Sequence, residues 1–258
     1  MTDQSDVAFR DLATRWEVEL RRLGSPDRAV REKAYLKSDA EFAGVAVPVM
    51  RSLVRSWQAA SSPGRAEVTA LARDLWASPL YECRQCAVIL LERASMVLTA
   101  ADMNLVEEFL RTSLTWALVD GLAQNVAGDL VERYPDLVST LDRWACDDDF
   151  WIRRSAMLAL VLPLRRGDGD FARFAGYADA MLEEREFFIR KAIGWVLRET
   201  GKKRPELVAG WLGPRVHRAS GVTVREAVKP LPSDLREALL AGYRDKLPVH
   251  CEHLGTVG

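Results

Sequence analysis

DFWIRRSAMLAL (residues 149–160) and EFFIRKAIGWVL (residues 186–197) are near copies of one another, 37 residues apart. Trp151 falls on Phe188, Ile152 on Ile189, and Arg153-Arg154 on Arg190-Lys191. ECRQCAVILL (82–91) fits the same frame with Cys83 on Ile152, 69 residues earlier, or about two units. The unit between them falls near residue 118, inside TWALVDGLAQNVAGDL (115–130). Apolar residues elsewhere recur at helical spacing, and no segment alternates at period two as a half-buried strand does. A two-helix unit repeating every ~35–45 residues reads as an all-α, HEAT/armadillo-like helical repeat solenoid. In that architecture each unit stacks on its neighbours and the second helices line a concave groove.

The repeat frame sorts the polar residues. From Asp120, one step forward reaches Arg154 (34 residues on), the next Lys191 (37 on), and one step back Gln85 (35 before). These four are expected in one row across the concave face. Trp116 precedes Asp120 by one helical turn, and Trp195 follows Lys191 by one turn. From Lys191 the i, i+4, i+7, i+11 series reads Lys191, Trp195, Arg198, Lys202. Charged groups are seldom buried without partners, so this stripe is poor core material and reads as a lined groove. Taken singly, each tryptophan could be an ordinary packing residue, and Asp120 could simply pair with Arg154. Basic residues interleaved with aromatics suit nucleic acid, the cations meeting phosphates and the rings packing on sugars or bases.

Composition sets the bounds. With 258 residues, 48% hydrophobic and 28% charged, the chain has the make-up of an ordinary globular protein. A single repeat domain over 1–247 is expected, with a C-terminal tail at 248–258. No run of eighteen apolar residues marks a membrane span, and MTDQSDVAFRDLATRWEVEL carries no apolar signal core, so a cytoplasmic location is expected; an open groove needs no partner subunit, so a monomer is expected. The net charge of −1 is unevenly spread. Residues 101–148 hold 3 basic and 10 acidic residues, whereas 149–230 hold 16 basic and 10 acidic. A basic half within a neutral whole suits a polyanionic partner, although an uneven solvated surface would look the same. Cys83 and Cys86 have CxxC spacing, and His250, Cys251 and His253 cluster near the C-terminus, which together could hold zinc. Cys83 and Cys86, however, lie within a helical run and share a face, so small buried side chains are the better reading. Neither a metal nor a cofactor is expected.

At this point the residues match a family. EFFIRKAIGWVLRE, WIRRSA, and RYPDL following WALVDGLAQNVAGDLVE resemble the AlkD family of bacterial DNA alkylation repair glycosylases. FAGVAVPVMRSLVRSW and LWASPLYECRQCAVILLERA continue the likeness in order, so it covers about residues 35–230. The resemblance implies HEAT-like repeats that hold duplex DNA and excise alkylated purines as free bases, without needing to flip the lesion, so that bulky adducts are tolerated. The family's W-xxx-D arrangement matches Trp116 and Asp120, its IGW tryptophan matches Trp195, and the arginine of its W-I/L-x-R motif matches Arg154. Thr115 stands where the family has a second tryptophan, and Ala117, Leu118 and Gly121 also depart from its pattern. The implied site is therefore catalytic Asp120, Trp116 and Trp195, with Arg154, Arg190, Lys191, Arg198 and Lys202 as DNA-binding cations and duplex DNA bearing alkylated purines as partner. Such an enzyme serves general repair or self-resistance in a producer of a DNA-alkylating metabolite. The alternative is a non-catalytic repeat scaffold that binds DNA or protein, for which Asp120 and Trp116 would be dispensable.

Overall fold

The structure, a computed structural model, describes residues 2–113 and 115–245. The expected tail, with His250, Cys251 and His253, lies outside the described residues. The chain folds as two compact units, Met1–Ala159 and Leu160–Gly258. The first contains α1 (Thr2–Leu23), α2 (Pro26–Leu36), α3 (Val47–Ser61), α4 (Arg65–Trp76), α5 (Tyr81–Arg93), α6 (Met103–Arg111), α7 (Trp116–Gly121), α8 (Gly128–Arg133), α9 (Val138–Trp144) and α10 (Phe150–Leu158). The second contains α11 (Val161–Arg166), α12 (Phe171–Met181), α13 (Phe187–Gly201), α14 (Pro205–Leu212), α15 (Gly221–Ala227) and α16 (Ser233–Asp245). Among the described residues extended pairing amounts to one isolated bridge, Glu41 to Leu80. No described helix is long and apolar enough to cross a membrane.

At α10, α12, α13 and α15 a side chain satisfies one of the first free N–H groups. Asp149 accepts from the amide of Trp151, Asp170 from Arg173, Glu186 from Phe188 and Ser220 from Thr223. Pro26 and Pro205 open α2 and α14, where a missing N–H costs nothing.

What makes this a repeat protein is the spacing of its long-range polar contacts. In the first unit Arg65 pairs with Asp102 across 37 residues, Arg73 with Glu108 across 35, and Arg111 with Asp147 across 36. The indoles of Trp76 and Trp144 donate to Thr112 and Glu107, across 36 and 37 residues. In the second unit Arg215 meets Asp179 across 36 residues, and Lys191 meets Glu226 across 35. Each layer is thus tied to the next at the interval read from the sequence.

Apolar packing fills the same frame. Trp76 stacks on Phe109 with centroids 4.2 Å apart and planes 3° from parallel, a pairing worth about 1 kcal/mol beyond its buried area. Glu82 is a fully buried carboxylate, which a core tolerates only when its oxygens are satisfied. Its oxygens accept the backbone N–H groups of Ala43, Gly44 and Val45 at 3.1, 2.6 and 3.1 Å, so it serves as a clamp on the α2–α3 loop.

Candidate active site

The structure divides residues 116–133 into three helical segments. Trp116–Gly121 is α-helical, Leu122–Ala127 is a π-helical segment, and Gly128–Arg133 resumes the α form. Wide turns of this kind are uncommon and concentrate at functional sites. Gly128 shows how tightly the segment is held: a Cβ there would lie 2.7 Å from the carbonyl oxygen of Ala159.

Thr115 enters this helix in an extended conformation, and its hydroxyl donates to the carbonyl of Leu36 at 3.4 Å. That contact brings the end of α2 over the first residue of α7. Tyr35, 70% exposed, consequently meets the half-buried Trp116 edge-on, with centroids 5.5 Å apart. One turn further, Asp120 is buried to 8% exposure and Arg154 to 2%. The guanidinium of Arg154 grips the carboxylate with two hydrogen bonds, Nε to Oδ1 at 2.8 Å and Nη2 to Oδ2 at 2.9 Å. The amide of buried Gln124 donates to the backbone oxygen of Asp120 at 3.2 Å, which gives this residue a supporting part. Burial pushes the Asp120 carboxyl above the ordinary aspartate value, against the opposing charge and hydrogen bonds of Arg154. A desolvated carboxylate held in one orientation beside an indole is the outcome.

Arg154, expected as a DNA-binding residue on an open row, is buried, and its guanidinium is turned onto Asp120.

The repeat register explains why cations come in pairs in WIRR and FIRK. Arg84 donates to the carbonyl of Ser78, Arg153 to that of Asp147 and Arg190 to that of Glu184, each six residues back. The first cation of each pair therefore closes the loop before its own helix. For Arg190, expected as a DNA-binding residue, the structure shows this loop clamp, with Nε 2.6 Å from the Glu184 oxygen. The next position in each helix is polar, and an aromatic opens the helix one turn earlier: Tyr81 before Gln85, Trp116 before Asp120, Phe150 before Arg154 and Phe187 before Lys191. Tyr81 spends its hydroxyl on Gln85 at 3.1 Å.

In the second unit Lys191, Trp195 and Arg198 lie along α13, with Trp195 half-buried, and Lys202 caps its C-terminal end. The stripe is not composed of free cations, however. Glu226, on α15, takes Lys191, Arg198 (2.6 Å) and Lys229 (2.7 Å). Glu199, on α13 itself, takes Lys202 (2.7 Å), Arg165 (2.8 Å) and Arg198 (3.3 Å). Gly194 permits this: a Cβ there would sit 2.7 Å from the Glu226 Cβ and 2.9 Å from the Thr223 oxygen, so only glycine lets α15 approach so closely. Tyr35 and the two glutamates were not found by sequence reasoning. One more step of 35 residues from Lys191 lands on Glu226 and would have found that one.

Cys83 and Cys86 are fully buried, and burial pushes the Cys83 thiol up to about 12 and that of Cys86 higher still. They pack as small core residues, and no group of three or more His, Cys, Asp or Glu among the described residues could hold a metal ion.

Comparison with known proteins extends this picture. A solved structure described as a predicted DNA alkylation repair enzyme from Enterococcus faecalis superposes with a TM-score of 0.74 at 21% identity, covering 81% of this chain and 97% of that one. AlkD2 from Streptococcus mutans gives a TM-score of 0.57 at 17% identity, covering 73% and 92%. The smu.31 structure from Streptococcus mutans UA159 gives 0.53 at 17%, covering 71% and 100%. At such identities the likeness establishes the helical-repeat fold. No curated protein matches the chain significantly. The DNA alkylation repair enzyme family, by contrast, matches residues 17–231, which is most of the sequence, and the chain belongs to that family.

Proposed function

We propose that this protein is a DNA glycosylase that hydrolyses the N-glycosidic bond of N3- or N7-alkylated purines in duplex DNA. The observation that carries the reading is the Asp120 carboxylate, buried, locked by Arg154 and one helical turn from the half-buried ring of Trp116. A scaffold gains nothing from a desolvated carboxylate next to its surface, because the burial costs stability.

Alkylation at a ring nitrogen leaves the purine cationic and ready to depart. The C1′–N bond breaks with its electron pair going to the purine, which leaves as a neutral base, and the sugar becomes an oxocarbenium ion. Asp120 supplies the negative charge that stabilises that ion, and it is worth more in a desolvated site than in water. Water then adds to C1′ and gives up a proton, for which a carboxylate made more basic by burial is a suitable acceptor. The π face of Trp116 offers a further cation–π contribution of roughly 1–2 kcal/mol, and Tyr35 fixes the indole from its edge. Arg154 positions Asp120. The cations of α13 bind the phosphate backbone, which locates the sugar without reading sequence. Trp195, one turn from Lys191, is assigned to the same substrate by the family resemblance.

The test is excision. Purified protein is incubated with duplex containing N7-methylguanine or N3-methyladenine, and free base and abasic sites are measured. Wild type is expected to release base, and Asp120→Asn to lose at least a hundredfold in single-turnover rate while still binding duplex. Equal rates for the two proteins would remove Asp120 from the chemistry.

A further inference from the structure

The two glutamates of the second unit hold more positive charge than they can neutralise. Lys191, Arg198 and Lys229 converge on Glu226, while Arg165, Arg198 and Lys202 converge on Glu199, and Arg198 joins the two sets. Five cations thus share two carboxylates. The carboxylates are buried, with side-chain exposures of 9% and 4%, whereas the cations are 28–54% exposed. A cluster made only for stability would balance its charges, as Arg215 and Arg218 do against Asp179 and Glu183 in the same unit. This one presents an unbalanced positive face to solvent. It also places two ammonium groups, Lys191 and Lys229, on the same oxygen of Glu226.

We infer that Arg165 and Lys229 extend the row of Lys191, Arg198 and Lys202 into a five-cation surface for the sugar-phosphate backbone of duplex DNA, with Glu199 and Glu226 as its internal counter-ions. The inference rests on the proposed function, since it names part of the surface on which that substrate lies. Size agrees with it. Lys191 to Lys202 alone spans eleven residues of helix, about 16 Å, and a DNA strand carries a phosphate every ~3.4 Å along its axis, so the row meets more than one phosphate. Chemistry agrees too. Phosphate oxygens can share the cations that the glutamates hold in place, and burial of the carboxylates keeps them behind the cations. Glu226 stays ionised throughout: although burial pushes its carboxyl up, the bonds from Lys191 and Lys229 hold it down at about 2.

Counter-ion release provides the experiment. Binding of a labelled, undamaged duplex is followed by fluorescence anisotropy over a range of KCl concentrations, and log K is plotted against log salt. Arg165→Ala and Lys229→Ala are each expected to make the slope shallower by about 0.9, and the double variant by about twice that. Arg165→Lys, which keeps the charge, should retain the wild-type slope, and so should Arg218→Ala from the balanced cluster. Slopes unchanged in both alanine variants, with wild type binding normally, would overturn the five-cation surface and leave the proposed function standing. An equal loss from Arg218→Ala would also overturn it, by showing that any lost cation has the same effect. Wild type that binds no duplex at any salt would overturn the proposed function, and this inference with it.

Discussion

The Asp120–Arg154 pair lends itself to a double-mutant cycle. Its two bonds are 2.8 and 2.9 Å long, and its side chains are 11% and 3% exposed. Removing one member of a buried pair of this quality costs about 3–5 kcal/mol, whereas replacing both is often close to neutral. Asp120→Asn keeps an acceptor oxygen but takes the counter-charge from a buried guanidinium, so about 3 kcal/mol is expected. Arg154→Met leaves a desolvated carboxylate that must bind a proton, at similar cost. In the double variant neither charge remains, and the loss should fall to about 1–2 kcal/mol, which makes the coupling about 4–5 kcal/mol, well above the ~0–1 typical of surface pairs. Urea unfolding followed by circular dichroism and by tryptophan fluorescence measures all four proteins. Each single change should also lower the melting temperature by about 6–12 °C, on the ~2–4 °C per kcal/mol expected of a chain this size. Losses that simply add in the double variant, within about 0.5 kcal/mol, would refute the pairing. The double variant, folded but lacking the carboxylate, should be inactive, which separates the pair's part in stability from its part in catalysis.

Two further outcomes follow from the described geometry. Gly128→Ala pushes a methyl group toward the Ala159 carbonyl, 2.7 Å away, and should cost about 1–3 kcal/mol in the same urea assay; a neutral result would mean that the π-helical segment yields easily. Acid should separate function from fold. Glu107, held at about 2 chiefly by the Arg143 hydrogen bond with help from Trp144 and Arg111, and Glu226, also at about 2, both have depressed values. Their stabilisation is complete above the unfolded value near 4.5 and is lost as pH falls through about 2. Asp120 shifts the other way: raised by burial, it protonates earlier as the pH falls. Excision should therefore fade at a higher pH than the one at which circular dichroism reports unfolding, and coincident transitions would contradict the raised Asp120 value.

Much of this was legible in the sequence because a repeat protein writes its contacts at a fixed interval. The 37-residue offset between WIRRSA and FIRKAI located the helices, and stepping from Asp120 to Arg154 placed in one row two residues that prove to be bonded. A register records adjacency, however, and is silent about burial. It does not distinguish an arginine facing solvent from one turned onto a carboxylate, as Arg154 is turned onto Asp120. The bond from Arg190 to Glu184 was out of reach for a related reason, since a helix wheel does not include the carbonyl of the preceding loop. The charges on α13 were read from one helix alone, so the glutamate arriving from α15 was overlooked. Tyr35 had no signal at all: α2 lies outside the repeating frame, and only the folded chain brings its end to Trp116.

That last contact differs in kind from those between layers. Most long-range polar ties join residues about 36 positions apart, so each closes a short loop and can form as soon as its own layer and the next exist. The Thr115–Leu36 bond spans 79 residues and closes only after the intervening helices have stacked. The aromatic corner over Asp120 should accordingly be among the last parts of its unit to assemble and the first to open. In hydrogen-exchange terms, the residues around Tyr35 would then lose protection while the helical layers of the same unit still hold theirs.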